Sequence, residues 1–160
     1  MQSFSITPSF VNARWLSRSA GWALAAIFIA SSFPKLRNPH LFLDSVYGYE
    51  LLGPSAGIFI AIIVPWLELV IAANLLIGIF VEGTLLAAFI LAVIFTFANT
   101  WAVVRGIKVS CGCFGADPSM TSVSWTTVVI SAAVGLAAVA GLFFRFSADS
   151  IHVSGEPVLA

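Results

Sequence analysis

Apolar positions fall into four long runs: 15–33, 55–81, 84–104 and 125–144. None shows the strict alternation of a half-buried strand, and each is close to or beyond the roughly 20 apolar residues that carry a helix across about 30 Å of hydrocarbon. The first run holds one charge, Arg18, and Pro34 follows it. A proline removes a backbone donor, so the first helix is expected to end there. The second run holds one charge, Glu68, at its midpoint, and the third holds none. Arg145 closes the fourth. Barrel strands alternate over about 10 residues and cannot give such runs. The expected fold class is all-α, a polytopic membrane protein with a four-transmembrane-helix bundle over 15–145. The tails, 1–14 and 146–160, are polar or mixed and are expected to be poorly ordered.

The connections differ in length. Glu82 and Gly83 alone join the second and third runs, which predicts a tight antiparallel hairpin. The longer connections, 34–54 and 105–124, fall together on the opposite side. The first contains Asn38-Pro39-His40-Leu41-Phe42-Leu43-Asp44, the start of a short interfacial helix. Phe42, Tyr47 and Tyr49 suit the headgroup region.

Composition supports the membrane reading. The chain has 160 residues, of which 60% are hydrophobic and 9% charged, with a mean hydropathy of +1.05. An average soluble domain is about 45–50% apolar and about 25% charged. A water-soluble globular domain is excluded, and so is disorder. Seven basic against seven acidic residues leave no cationic excess for nucleic acid. The expected surroundings are membrane lipid.

Arg14 and Arg18 before the first run resemble the start of a signal peptide. The run ends in Ser31-Ser32-Phe33-Pro34-Lys35 rather than a small-residue cleavage site, so it reads as a retained helix. Charge does not orient the bundle. Arg14, Arg18 and Arg145 lie on the side of the termini, and Lys35, Arg37, Arg105 and Lys108 on the side of the long loops. Both cysteines, Cys111 and Cys113, fall in the second long loop, and disulfides belong to oxidising compartments. That places the termini in the cytoplasm and the long loops outside, on the periplasmic face of a bacterial inner membrane.

Cys111-Gly112-Cys113 is the sharpest chemical feature. A disulfide needs Cα atoms about 4.4–6.8 Å apart, and an extended tripeptide spans about 6.6–7.2 Å. A bend at Gly112 brings the pair into range. So small a ring is strained, and strained disulfides exchange readily. Arg105 and Lys108 favour thiolate. A loop staple remains an alternative, although so short a ring stabilises little. A zinc site lacks ligands, with two cysteines and two distant histidines, His40 and His152.

Glu68 is the second feature, because ionisable groups at mid-membrane are functional candidates. A hairpin turning at 82–83 matches its depth to position 97 of the third run. Thr96, Asn99 and Thr100 lie there on one polar stripe and are its expected partners. Arg105 is about 9 Å further along the axis and reaches Glu68 only by bending back. A plain helix-packing hydrogen bond is the alternative role for Glu68. Pro65, one turn earlier, is expected to kink the helix. Ser131/Gly135 and Ala137/Gly141 read as close-packing positions. Trp15, Trp101 and Trp125 read as interface anchors, and Trp22 and Trp66 as packing residues. There is no nucleophilic triad, phosphate loop, dinucleotide motif or inverted repeat.

Three sequence features taken together resemble a known family. They are the loop Phe33-Pro34-Lys35-Leu36-Arg37-Asn38-Pro39-His40-Leu41-Phe42 with Tyr49-Glu50-Leu51-Leu52, the stretch Pro65-Trp66-Leu67-Glu68-Leu69, and Arg105-Gly106 before Cys111-Gly112-Cys113-Phe114-Gly115. The first resembles DoxX-like four-helix membrane proteins. The other two are similar to their methylamine-utilisation branch, the MauE family. The resemblance covers roughly 15–145. It implies help in export, processing or disulfide bonding of the small subunit of methylamine dehydrogenase, a periplasmic quinoprotein. It also implies a likeness to four-helix, quinone-linked disulfide oxidases, although this chain has one cysteine pair where a relay uses two. On this reading Cys111 and Cys113 exchange disulfides with an exported client and Arg105 biases the thiolate. Glu68 and Asn99 form a buried polar centre for a proton or a quinone cofactor. The alternatives are an accessory subunit of a larger respiratory or photosynthetic membrane complex, and a DoxX-type quinone oxidoreductase component.

Overall fold

Asn38 is where the first apolar helix gives way, four residues after Pro34. The computed structural model describes residues 9–107 and 123–153, with side chains described over 19–107 and 123–145. Helix α1 (Ser9–Arg37) runs straight through Pro34, against the expectation that Pro34 ends it. The carbonyl of Pro34 still accepts the Asn38 N–H at 3.0 Å, so the ladder resumes past the missing donor. Membrane helices tolerate proline because neighbouring helices support the backbone. Pro39 makes the real break, since a proline pushes the preceding residue out of the helical region. Asn38 accordingly sits at φ −133°, ψ 71°, and Pro39 opens α2 (Pro39–Gly48) at a position where its lost N–H costs nothing.

Helix α3 (Pro54–Ile77) and helix α4 (Val81–Arg105) come next, then α5 (Trp125–Val153). Among the described residues, four helices are long and apolar enough to cross a membrane, over Ser19–Arg37, Pro54–Ile77, Val81–Arg105 and Trp125–Arg145. The described residues are those of an all-α polytopic membrane bundle, as expected. The helix at each end runs into the expected tails, from Ser9 and as far as Val153, because helical hydrogen bonding continues past the apolar run.

The turn between α3 and α4 falls earlier than expected. Gly78 takes the left-handed conformation (φ 80°) and its N–H returns to Asn74 O at 2.8 Å. Phe80 is also left-handed (φ 48°). Glycine meets this geometry without steric cost, which makes Gly78 the natural stop. Glu82 is then not a turn residue but part of the first turn of α4, where the helix dipole favours an acid.

Packing follows chain order for one pair of spans and departs from it for the other. Helix α3 packs chiefly on α1, and α4 chiefly on α5. Leu24, Ala25 and Phe28 of α1 meet Ile71, Ala72 and Leu75 of α3, and Leu85, Ala88 and Leu91 of α4 join with Ala138. Ala25, Ala72, Ala88 and Ala138 have no exposed surface, as expected where small residues let helices approach in lipid. A Cβ on Gly135 would lie 3.4 Å from Ala92 Cβ, and one on Gly141 3.2 Å from Leu85 Cδ1, so the small-residue stripe of α5 packs against α4. Large apolar side chains cover the outside. Trp22 and Trp66 are among them, 57% and 59% exposed, so both face outward rather than packing within the protein.

Helix α2 is not a surface raft. Phe42 and Val46 are buried against Ala61 of α3. Further along α2, Tyr47 covers Gly57, where a Cβ would come within 2.5 Å of the ring, and its hydroxyl donates to Pro54 O at 3.0 Å. The contacts move back along α3 as α2 advances, so α1 and α2 form one broken helix antiparallel to α3. Phe42 and Tyr49, expected at the headgroups, point into the protein.

Candidate functional site

The break at Asn38 leaves the last turn of α1 inside the bundle. Ser31 and Lys35 are four residues apart and so share one face. That face meets Glu68, at the middle of α3. Lys35 Nζ donates to Glu68 Oε1 at 2.5 Å and to Ser31 Oγ at 3.0 Å, and the Ser31 hydroxyl donates to the same carboxylate oxygen at 3.3 Å. Lys35 and Glu68 are each only 2% exposed. The ammonium also lies 5.1 Å from the Phe42 ring centroid and 4.6 Å from that of Phe95. Rings from α2 and α4 thus complete the cation's surroundings, and aromatic faces attract a desolvated cation. Glu68 Oε2 is buried with no partner among the described residues.

The expected contact of Glu68 with Thr96, Asn99 or Thr100 is not made. The cause is the turn. Moving its centre from 82–83 to about 79 shifts the residue level with Glu68 from 97 to about 90. Ala92 and Phe95 accordingly line a cavity with Glu68, while the polar stripe lies nearer the loop end. Thr96 donates to Ala92 O and to Ser131 Oγ of α5, and Thr100 to Thr96 O. Asn99 has no exposed surface and accepts the Tyr49 hydroxyl at its Oδ1, 2.9 Å away. Glu68 and Asn99 therefore belong to two separate polar groups, one tying α1 to α3 and the other tying the segment after α2 to α4.

Arg105 lies at the end of α4, exposed, with its guanidinium carbon 4.3 Å from the Trp101 ring centroid. It does not bend back to Glu68. Gly106 (φ 67°) ends α4, and the Ile107 N–H returns to Ala102 O at 3.0 Å. Arg105 thus stands shortly before the loop that holds Cys111 and Cys113. Lys108 and both cysteines lie outside the described residues.

The cavity beside Glu68 has a volume of about 70 Å³. Ile27 and Ser31 of α1, Glu68, Phe95 of α4, and Ile130 and Val134 of α5 line it. Thr127 and Ser131 of α5 also line it, and Glu68 is its one carboxylate among the described residues. Lys35 and Ser31 are the functional candidates that reading the chain from residue 34 as a loop conceals. Their signal is the i, i+4 spacing of a serine and a lysine flanking Pro34.

The family model described as methylamine utilisation protein MauE matches residues 13–145. A methylamine utilization protein MauE from Methylophilus methylotrophus is 30% identical over 148 residues, covering 92% of this chain and 75% of that protein. Its namesake from Paracoccus denitrificans is 30% identical over 129 residues, covering 76% and 69%. A third, from Methylorubrum extorquens, is 31% identical over 116 residues, covering 72% and 62%. No solved structure matches the chain significantly.

Proposed function

The chain belongs to the family of the methylamine utilisation protein MauE, and from that premise we propose that it is a membrane accessory protein of methylamine utilisation that assists disulfide formation in an exported protein. The proposed client is the small subunit of a methylamine dehydrogenase. The observation that carries the reading is the family match over 13–145, which takes in both the intramembrane Lys35–Glu68 pair and the Cys111-Gly112-Cys113 loop. The proposed site is the bacterial inner membrane, with that loop on the periplasmic side, where a disulfide persists.

The chemistry balances as a thiol–disulfide exchange. A client thiolate attacks one sulfur of the Cys111–Cys113 bond, forming a mixed disulfide and releasing the other cysteine as thiolate. A second client thiolate then displaces the first cysteine. The client loses two electrons and two protons, and the cysteine pair gains them. Regeneration passes both on to an acceptor, proposed to be a lipid-phase quinone that becomes a quinol. Arg105, just before the loop, favours the thiolate form of the released cysteine.

The test reads the client. In a strain lacking this protein, the exported subunit should accumulate with free thiols, counted by the mass added on alkylation. The intact gene should restore the oxidised subunit, and a Cys111→Ser/Cys113→Ser double variant should not. A fully oxidised subunit in the deletion strain, or full rescue by the double variant, contradicts the proposal.

A further inference from the structure

We infer that the outward face of α2 is an interface with a second copy of this chain, in which Asp44 of each copy pairs with His40 and Arg37 of its partner. The inference stands apart from the cysteine chemistry. It begins with three exposed ionisable side chains, Arg37, His40 and Asp44, around the break in the first span. Their depth follows from the contacts of the broken helix with α3. Lys35, just before the break, meets Glu68, and Tyr47, near the end of α2, covers Gly57 and donates to Pro54 O. Between those anchors Arg37 falls level with about residue 66 of α3, His40 with about 64 and Asp44 with about 60. Helix α3 has 24 residues, about 36 Å of length against about 30 Å of hydrocarbon. Counted from Pro54, Asp44 lies about 9 Å along α3, His40 about 15 Å and Arg37 about 18 Å. All three are inside the hydrocarbon span. Helix α4 gives the same level, because Lys35 Nζ sits between the rings of Phe42 and Phe95, and Phe95 is ten residues, about 15 Å, before Arg105.

Lipid does not satisfy such groups. Charged side chains at this depth pair with one another or face a polar interior. Among the described residues the one ion pair is Lys35–Glu68, and none of the three takes part in it. The inward face of α2 is already filled by Phe42, Ser45 and Val46. His40 and Asp44, one turn apart, share the opposite face, so no rotation of α2 hides them without expelling Phe42 and Val46. Arg37 starts near the middle of α3, where the distance for its stem to reach either surface is greatest.

The charges choose the occupant. The face carries one cation, one anion and an imidazole, so its formal charges cancel. A second copy with the same topology brings the same groups at the same depths. Around a two-fold axis along the membrane normal, Asp44 of one copy lies one turn, about 6 Å, from the level of its partner's His40, and the contact occurs twice. Arg37, about 10 Å deeper than Asp44, extends its long stem toward the same carboxylate. An unrelated helix would need both signs at these depths of its own.

The test is photo-crosslinking of the full chain in native membranes. Leu41→p-benzoylphenylalanine places the probe between His40 and Asp44, at a side chain 44% exposed. Irradiation should give an adduct of twice the chain mass, identified by mass spectrometry as this chain alone. Leu136→p-benzoylphenylalanine, at a position 72% exposed on α5, should give none. With the Leu41 probe in place, Asp44→Arg should cut the adduct about tenfold, the scale of one lost buried charge pair. Arg37→Asp/Asp44→Arg, which exchanges the two charges, should restore it. An absent adduct from position 41 at normal membrane levels, an adduct with a different protein, equal adducts from positions 41 and 136, or a yield indifferent to Asp44→Arg would overturn the assignment.

Discussion

Lys35 and Glu68 hold one another in place at a depth where neither tolerates being alone. Removing one partner of a buried pair strands a charge and typically costs about 3–5 kcal/mol, whereas replacing both by apolar residues is often neutral. Lys35→Met and Glu68→Leu should each lower the thermal midpoint in detergent markedly, and Lys35→Met/Glu68→Leu should recover most of the loss. A double variant as unstable as the sum of the singles would show that the two residues act independently. At this scale the sequence was half legible. A carboxylate at the midpoint of an apolar run marks Glu68 unaided. Lys35 is hidden because it comes after a proline and falls at the edge of the run, where basic residues commonly reach toward the interface. Only the helix continuing past Pro34 turns it inward.

Two turns decide how the elements meet. Pro34 and Pro39 read alike in the sequence, yet only Pro39 breaks the helix, and the distinction rests on the residues that come after each. After Pro34 comes a side chain with a buried partner, and after Pro39 comes α2, anchored on Ala61 and Gly57 of α3. Pro34→Ala therefore returns an N–H to a helix that already exists and should leave the thermal midpoint unchanged or raised. A clear loss of stability would mean that Pro34 shapes the break. The α3–α4 turn was legible as a hairpin but not in its position. Apolar Ile79 and Phe80 extend the hydrophobic run beyond the point where Gly78 has already ended the helix. That displacement of a few residues was enough to assign Glu68 the wrong neighbours.

At the scale of the whole molecule, four membrane-crossing helices are predicted by apolar length alone. Their pairing is not, because lipid is as apolar as a helix face and association rests on small residues and polar contacts. The stripe of Ser131, Gly135 and Gly141 foretold close packing by α5 without naming α4 as its partner. Helices α1 and α3 are joined by buried chemistry, and the α4 terminus leads through Arg105 toward the cysteine loop. The central claim is that this loop exchanges disulfides with an exported client. The direct measurement is a trap, because exchange passes through a mixed disulfide. In cells growing on methylamine, Cys113→Ser should leave Cys111 joined to the client, and Cys111→Ser tests the other sulfur. Disulfide exchange predicts that at least one variant yields a reducible adduct, identified by mass spectrometry as this chain plus an exported cysteine-containing protein. Absence of any adduct from both variants, at normal membrane levels, would contradict it and leave an accessory role without thiol chemistry.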